Sequence, residues 1–173
     1  MLSYKNYKIC LSSNNFWTKY HFRKRFIYEL ISKGYSVDIL AVDDGYHNLI
    51  SKLGANPIVI PRFFRQGTFF FEFLYFFYTI KYLTTKKPDS IIFFTVIPTV
   101  FGGLAAKLLG VNYFLINTGL GHLFFSSNFL SKILLRLYRY VALNASSIMF
   151  ANNDDLKLFI STMKIPENKT FLV

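Results

Sequence analysis

Val111-Asn112-Tyr113-Phe114-Leu115-Ile116-Asn117-Thr118-Gly119-Leu120-Gly121-His122 decides the fold. Residues 111–117 form a short apolar run. It empties into two glycines around one leucine, and a helix is predicted directly after it over residues 127–144. Strand, tight turn and helix in that order are the unit of a parallel α/β sheet. Thr118, Gly119, Gly121 and His122 are the first candidate binding residues. Glycine lets backbone N–H groups face outward, where a phosphate or a sugar can approach closely. An ordinary strand-to-helix turn needing positive φ reads equally well.

The same unit repeats outward from this stretch. Residues 7–12 form an apolar run ending in Ser13-Asn14-Asn15, which reads as a strand and a loop. Over residues 18–33, Phe22, Phe26, Leu30 and Ile27, Ile31 recur at helical spacing, while Lys19, Arg23, Lys24 and Glu29 fall elsewhere and Gly34 supplies the stop. Residues 36–42 and 57–60 read as strands around a short helix at 47–53. An aromatic helix over 68–85 leads to a strand at 90–95, Pro98, and a helix over 100–109 closed by Gly110. A strand at 147–151, a short helix at 154–161 and a strand beginning at 170–173 follow. This alternation predicts an α/β fold, a Rossmann-like parallel sheet with helices on both faces, in one domain. Ligands of such sheets collect at the carboxyl ends of the strands.

Apolar residues make up 53% of the 173, which excludes disorder as a main theme. Lys and Arg total 20 against 9 for Asp and Glu, and the net charge of +11 favours an anionic partner: nucleic acid, a phosphorylated substrate or acidic lipid. Cys10 is the one cysteine, so neither a disulfide framework nor a cysteine-based metal site is expected, and a reducing, cytosolic setting fits. Residues 1–8 lack the apolar segment of a signal peptide. Two runs imitate membrane spans. Residues 69–83 contain Glu72 and Lys81 and fall short of the roughly 20 residues a span needs, and Pro98, Gly102-Gly103 and Lys107 interrupt residues 91–109.

No G-x-G-x-x-G follows the first strand, and there is no Walker lysine loop, H-E-x-x-H or G-x-S-x-G. Standard dinucleotide, phosphate-loop ATPase, zinc protease and serine hydrolase chemistry are therefore not indicated, and no metal site or catalytic residue is assigned. Asn14 is a candidate sugar ligand, with a turn-forming role as the alternative. His21 and Arg23 sit in the first turns of the first helix, where the dipole and a cation together favour an anion; a surface arginine and a partly buried histidine are the plain alternative. Lys132, Arg136 and Arg139 form a basic stripe beside a broad apolar one, as on an interfacial helix or on a sheet-covering helix with snorkelling cations. Aromatic and basic residues lie at helix-core spacing with no recognition module, so no nucleic-acid partner is expected.

Five segments fall in a recognisable order: Tyr20-His21-Phe22-Arg23, Gly34-Tyr35-Ser36-Val37, Phe101-Gly102-Gly103-Leu104-Ala105-Ala106-Lys107, Thr118-Gly119-Leu120-Gly121 and Asn152-Asn153-Asp154-Asp155. In these the chain resembles the N-terminal domain of bacterial family 4 glycosyltransferases. The subgroup it is most similar to extends undecaprenyl-diphosphate-linked sugars in O-antigen, capsule and protein-glycan assembly. Thr118 stands where some of that family carry a histidine, with His122 a few residues on, and the glycine-rich first loop common in the wider family is missing.

The resemblance implies a GT-B half: residues 1–173 as the acceptor-side domain, with the donor-binding domain absent from this sequence. It implies a retaining sugar transfer from a nucleotide-sugar to a lipid-linked saccharide, without metal or other cofactor, at the cytoplasmic face of the cell membrane. It places Thr118, Gly119 and Gly121 near the transferred sugar and His21 and Arg23 near the acceptor. The implied partners are the lipid-linked acceptor, an anionic membrane surface and a separate donor-domain chain. The chain alone is expected to be inactive, and a non-catalytic membrane- or partner-binding module is the rival reading.

Overall fold

Seven strands form one parallel sheet in the computed structural model, which describes residues 7–62, 69–117 and 129–172. They are β1 (Lys8–Asn15), β2 (Ser36–Val42), β3 (Asn56–Ile60), β4 (Ser90–Phe94), β5 (Tyr113–Asn117), β6 (Ser147–Phe150) and β7 (Thr170–Leu172). The spatial order is β3-β2-β1-β4-β5-β6-β7. The connecting helices are α1 (Phe16–Ser32), α2 (His47–Lys52), α3 (Phe69–Lys86), α4 (Gly103–Leu108), α5 (Phe129–Asn144) and α6 (Asn153–Met163), with a π-helical turn at Pro98–Gly102 leading into α4. This is the α/β, Rossmann-like architecture the alternation predicts.

Strand periodicity splits the core in two. Ile9, Leu11, Val37, Ile39, Ala41, Ile92 and Phe94 face Phe16 and Ile27 of α1 and Ile50 of α2. Cys10, Leu40, Val42, Ile91, Phe93 and Leu115 point the other way, onto Tyr75 and Tyr82 of α3, Ala105 and Ala106 of α4, Tyr138 and Val141 of α5 and Phe159 of α6. Burial on both faces is why these strands read as continuous apolar runs rather than alternating ones. Polar groups are buried among them too, Ser12, Ser90 and the carboxylate of Asp38 included. Asp38 of β2 accepts from the Tyr82 hydroxyl at 2.9 Å and from the Asn56 amide at 3.1 Å, which satisfies both carboxylate oxygens.

Some local outcomes differ from the sequence reading, among them the helix expected over 100–109, which begins as the π-helical turn at Pro98–Gly102 and is α-helical only over Gly103–Leu108. Ser13-Asn14-Asn15 continues β1 instead of forming a loop, and its pairing with β2 slips between Ser12 and Asn15. The Asn15 side chain then accepts the Thr18 N–H at 3.0 Å, so α1 starts at Phe16 rather than 18. The apolar face expected on α1 includes Phe22, yet Phe22 is 64% exposed, whereas Phe16, Lys19 and Ile27 are buried. The glycine pair has a packing role. A Cβ on Gly102 would collide with the Phe93 ring and one on Gly103 with Val141, so these residues let the turn sit between β4 and α5.

The sheet order runs from β1 through β2 to β3 in one direction and from β4 outward in the other. The connections leaving β1 and β4 therefore diverge, which opens a crevice at their adjacent carboxyl ends. No described helix is long and apolar enough to cross a membrane.

Candidate functional site

The β1/β4 crevice measures about 330 Å³ and is lined by Thr18, Lys19, Phe22 and Arg23 of α1 and by Phe94 and Thr95 at the end of β4. Asn15 caps α1 at the end of β1, which aims the helix's first turns at β4. Thr95 forms the opposite lip in a left-handed conformation, φ +63°. For a β-branched residue that costs on the order of 1–2 kcal/mol.

The positive end of the α1 dipole is already occupied from within the protein. Asp44 of the β2–α2 connection accepts the Trp17 N–H at 2.7 Å, and Asn15 accepts that of Thr18. The charge left facing the crevice comes from side chains. Lys19 is only 1% exposed, and its Nζ lies 2.9 Å from the centroid of the Phe94 ring. The Arg23 guanidinium lies over the same ring, at 5.6 Å. Among the described residues neither cation has a carboxylate partner; Arg23 donates to the Phe22 carbonyl at 3.4 Å. Burial first, and then the nearby Arg23 charge, hold the Lys19 ammonium well below its ordinary range. Two like charges on one aromatic surface form a site that a bound anion would complete.

Of the residues singled out in the sequence, Arg23 lines this crevice, and Asn14 lies half-buried at the β1 carboxyl end. His21 does not join them. It is exposed on another flank of α1, within 4.8 Å of the Trp17 ring, 5.3 Å of Tyr20 and 5.6 Å of Tyr46. Thr118, Gly119, Gly121 and His122 lie outside the described residues. Lys132 and Arg136 are exposed on α5, while Arg139 donates from Nε to the Met163 carbonyl at 2.6 Å and so ties α5 to the end of α6. Asn152 caps α6 by accepting the Asp155 N–H at 2.7 Å, a structural use of the last of the five motifs. Lys19 is the residue that sequence reasoning missed. Its signal is the i, i+4 spacing to Arg23 in the first turns of the helix after the first strand.

A second concavity, about 320 Å³, lies between α3, α4 and α5. Phe73, Phe76, Leu104, Leu130 and Ile133 line it with Glu72. Burial pushes the Glu72 carboxyl up. Phe73, Phe77, Phe129 and Leu130 are each at least half exposed on these helices.

Residues 8–153 match the glycosyl transferase 4-like family. No curated protein gives a significant sequence match. Among solved structures, a glycosyltransferase from Rickettsia africae superposes with a TM-score of 0.72 at 14% identity, over 98% of this chain and 43% of that one. MurG of Acinetobacter baumannii gives 0.61 at 17% identity, over 96% and 45%. UDP-GlcNAc 2-epimerase of Neisseria meningitidis, bound to UDP-GlcNAc, gives 0.71 at 14% identity, over 95% and 46%. The chain thus spans less than half the length of each, and at these identities the likeness is one of fold. With the family match running from β1 through β6 to the start of α6, the chain belongs to the glycosyl transferase 4-like family.

Proposed function

We propose that the chain is the acceptor-side domain of a glycosyltransferase that moves a sugar from a nucleotide-sugar onto a polyprenyl-diphosphate-linked saccharide at the cytoplasmic face of a membrane. The observation that carries this reading is the crevice at the β1/β4 switch point, walled by Lys19 and Arg23 without an acidic partner among the described residues. In a retaining transfer, the bond from the anomeric carbon to the leaving diphosphate breaks. A bond from that carbon to the acceptor hydroxyl oxygen forms on the same face, and the hydroxyl proton leaves with the diphosphate. Such a step needs the two reactants aligned and phosphate charge neutralised. This domain's part is to hold and orient the acceptor; the donor is held by a domain or chain beyond this sequence. Exposed Lys132 and Arg136 favour an acidic surface, each cation near it adding on the order of 1 kcal/mol.

The exposed aromatic rim of the α3/α4/α5 groove favours a second reading, a membrane- or partner-binding module that transfers nothing. The two separate in one assay. The chain is incubated with a nucleotide-sugar, a polyprenyl-diphosphate saccharide and a donor-domain chain, and the lipid-linked product is weighed by mass spectrometry. The acceptor-side reading expects one added sugar only when both chains are present. Vesicle binding without transfer in any mixture overturns it in favour of the module.

A further inference from the structure

We propose that the β1/β4 crevice is a binding site for a diphosphate group, held by the side chains of Lys19 and Arg23. The proposal deepens the acceptor-side reading and rests on it for the choice of a diphosphate among oxyanions. Lys19 is only 1% exposed in the wall of an open crevice; among the described residues its ammonium has no carboxylate partner and lies over the Phe94 ring, with Arg23 beside it. Burial without an ion-pair partner disfavours the charged form of this lysine, so holding it as an ammonium in the empty domain is costly. Placing a second cation, Arg23, over the same ring adds repulsion. An oxyanion between them would offset both effects. The helix terminus is not an alternative host, since Asp44 and Asn15 already take the Trp17 and Thr18 amides. Phe94 supplies a buried aromatic face beneath both cations, and Phe22, largely exposed, forms the outer apolar lip.

The groups acting on Lys19 are few. Arg23 on α1 repels its proton, the Cys10 thiol on β1 is pushed up to about 12 by burial and stays neutral, and β4 contributes no titratable side chain. Burial and Arg23 make the lysine easy to deprotonate in the empty site, so an entering oxyanion draws a proton onto it.

Calorimetric titration of the whole chain with inorganic pyrophosphate, farnesyl diphosphate and UDP tests this. The expected result is saturable pyrophosphate binding that Lys19→Met or Arg23→Gln weakens by roughly 10- to 100-fold. Lys52→Gln and Lys157→Gln, exposed on α2 and α6, leave it unchanged. Buffers of different ionisation heat should report more proton uptake in the wild type than in Lys19→Met, the protons of pyrophosphate itself being common to both. Lys19→Met should also melt no lower than the wild type, which separates a lost site from a lost fold. Pyrophosphate affinity that survives both crevice substitutions, or that falls equally with the α2 and α6 substitutions, overturns the proposal. Tighter binding of farnesyl diphosphate than of UDP supports the lipid-linked source. Tighter UDP binding keeps the diphosphate site and overturns the acceptor-side reading.

Discussion

Lys19 is a buried amine with the Phe94 ring and the Arg23 guanidinium beside it and no carboxylate partner among the described residues, and its titration should be visible in stability. Its folded pKa lies well below the ordinary 10.5, with burial as the first cause. Between the folded and unfolded values the unfolded chain carries the proton and the native one does not. Stability therefore rises with pH across that interval and levels off above 10.5. Lys19→Met removes this rise. The general loss of repulsion as a +11 protein is titrated is common to both forms and cancels in their difference. Denaturant midpoints measured from neutral pH to about pH 10 should show the variant's advantage shrinking as pH increases; parallel curves would remove Lys19 from this role. The i, i+4 relation of Lys19 and Arg23 is legible in the sequence. The burial of Lys19 is not, because periodicity counts a lysine as solvent-facing by type. The exposure of Phe22 has the same origin: the face of α1 that carries both residues meets the crevice rather than the sheet.

At the level of elements, close approach and one buried polar cluster hold the second core in place. Gly103→Ala would push a methyl into Val141, and Gly102→Ala one into the Phe93 ring. Overpacking of this kind should cost about 1–3 kcal/mol for each, read as a lower denaturant midpoint. Unchanged midpoints would mean that the turn has room to shift. Tyr82→Phe strips buried Asp38 of one of its two side-chain donors, leaving Asn56. A loss of about 1–3 kcal/mol is expected, whereas a neutral result would show that water replaces the hydroxyl. The glycine pair is visible in the sequence, but its purpose is not, since Phe93 and Val141 come from other elements. Ser13-Asn14-Asn15 reads as a loop from its polarity; pairing with β2 and the cap onto Thr18 keep it extended. The other element types were legible, because short continuous apolar runs and longer amphipathic stretches differ in length and pattern. The ends depend on caps and register slips, which periodicity does not encode.

For the whole molecule, strict alternation of strand and helix carries the parallel sheet, and its reversal between β1 and β4 carries the site. The sequence points to carboxyl-end loops in general, while the choice of one crevice among them needs the strand order. Family membership follows from the match over residues 8–153, and the switch-point crevice is the candidate site within that fold. The most direct test is photo-crosslinking with a short polyprenyl-diphosphate saccharide bearing a photoreactive group beside the diphosphate, followed by peptide mapping. The account predicts label on the peptides carrying Lys19 to Arg23 and Phe94 to Thr95, displaced by excess pyrophosphate. Label confined to other surfaces, such as the polar groove around Asn112 and Ser146, would contradict it.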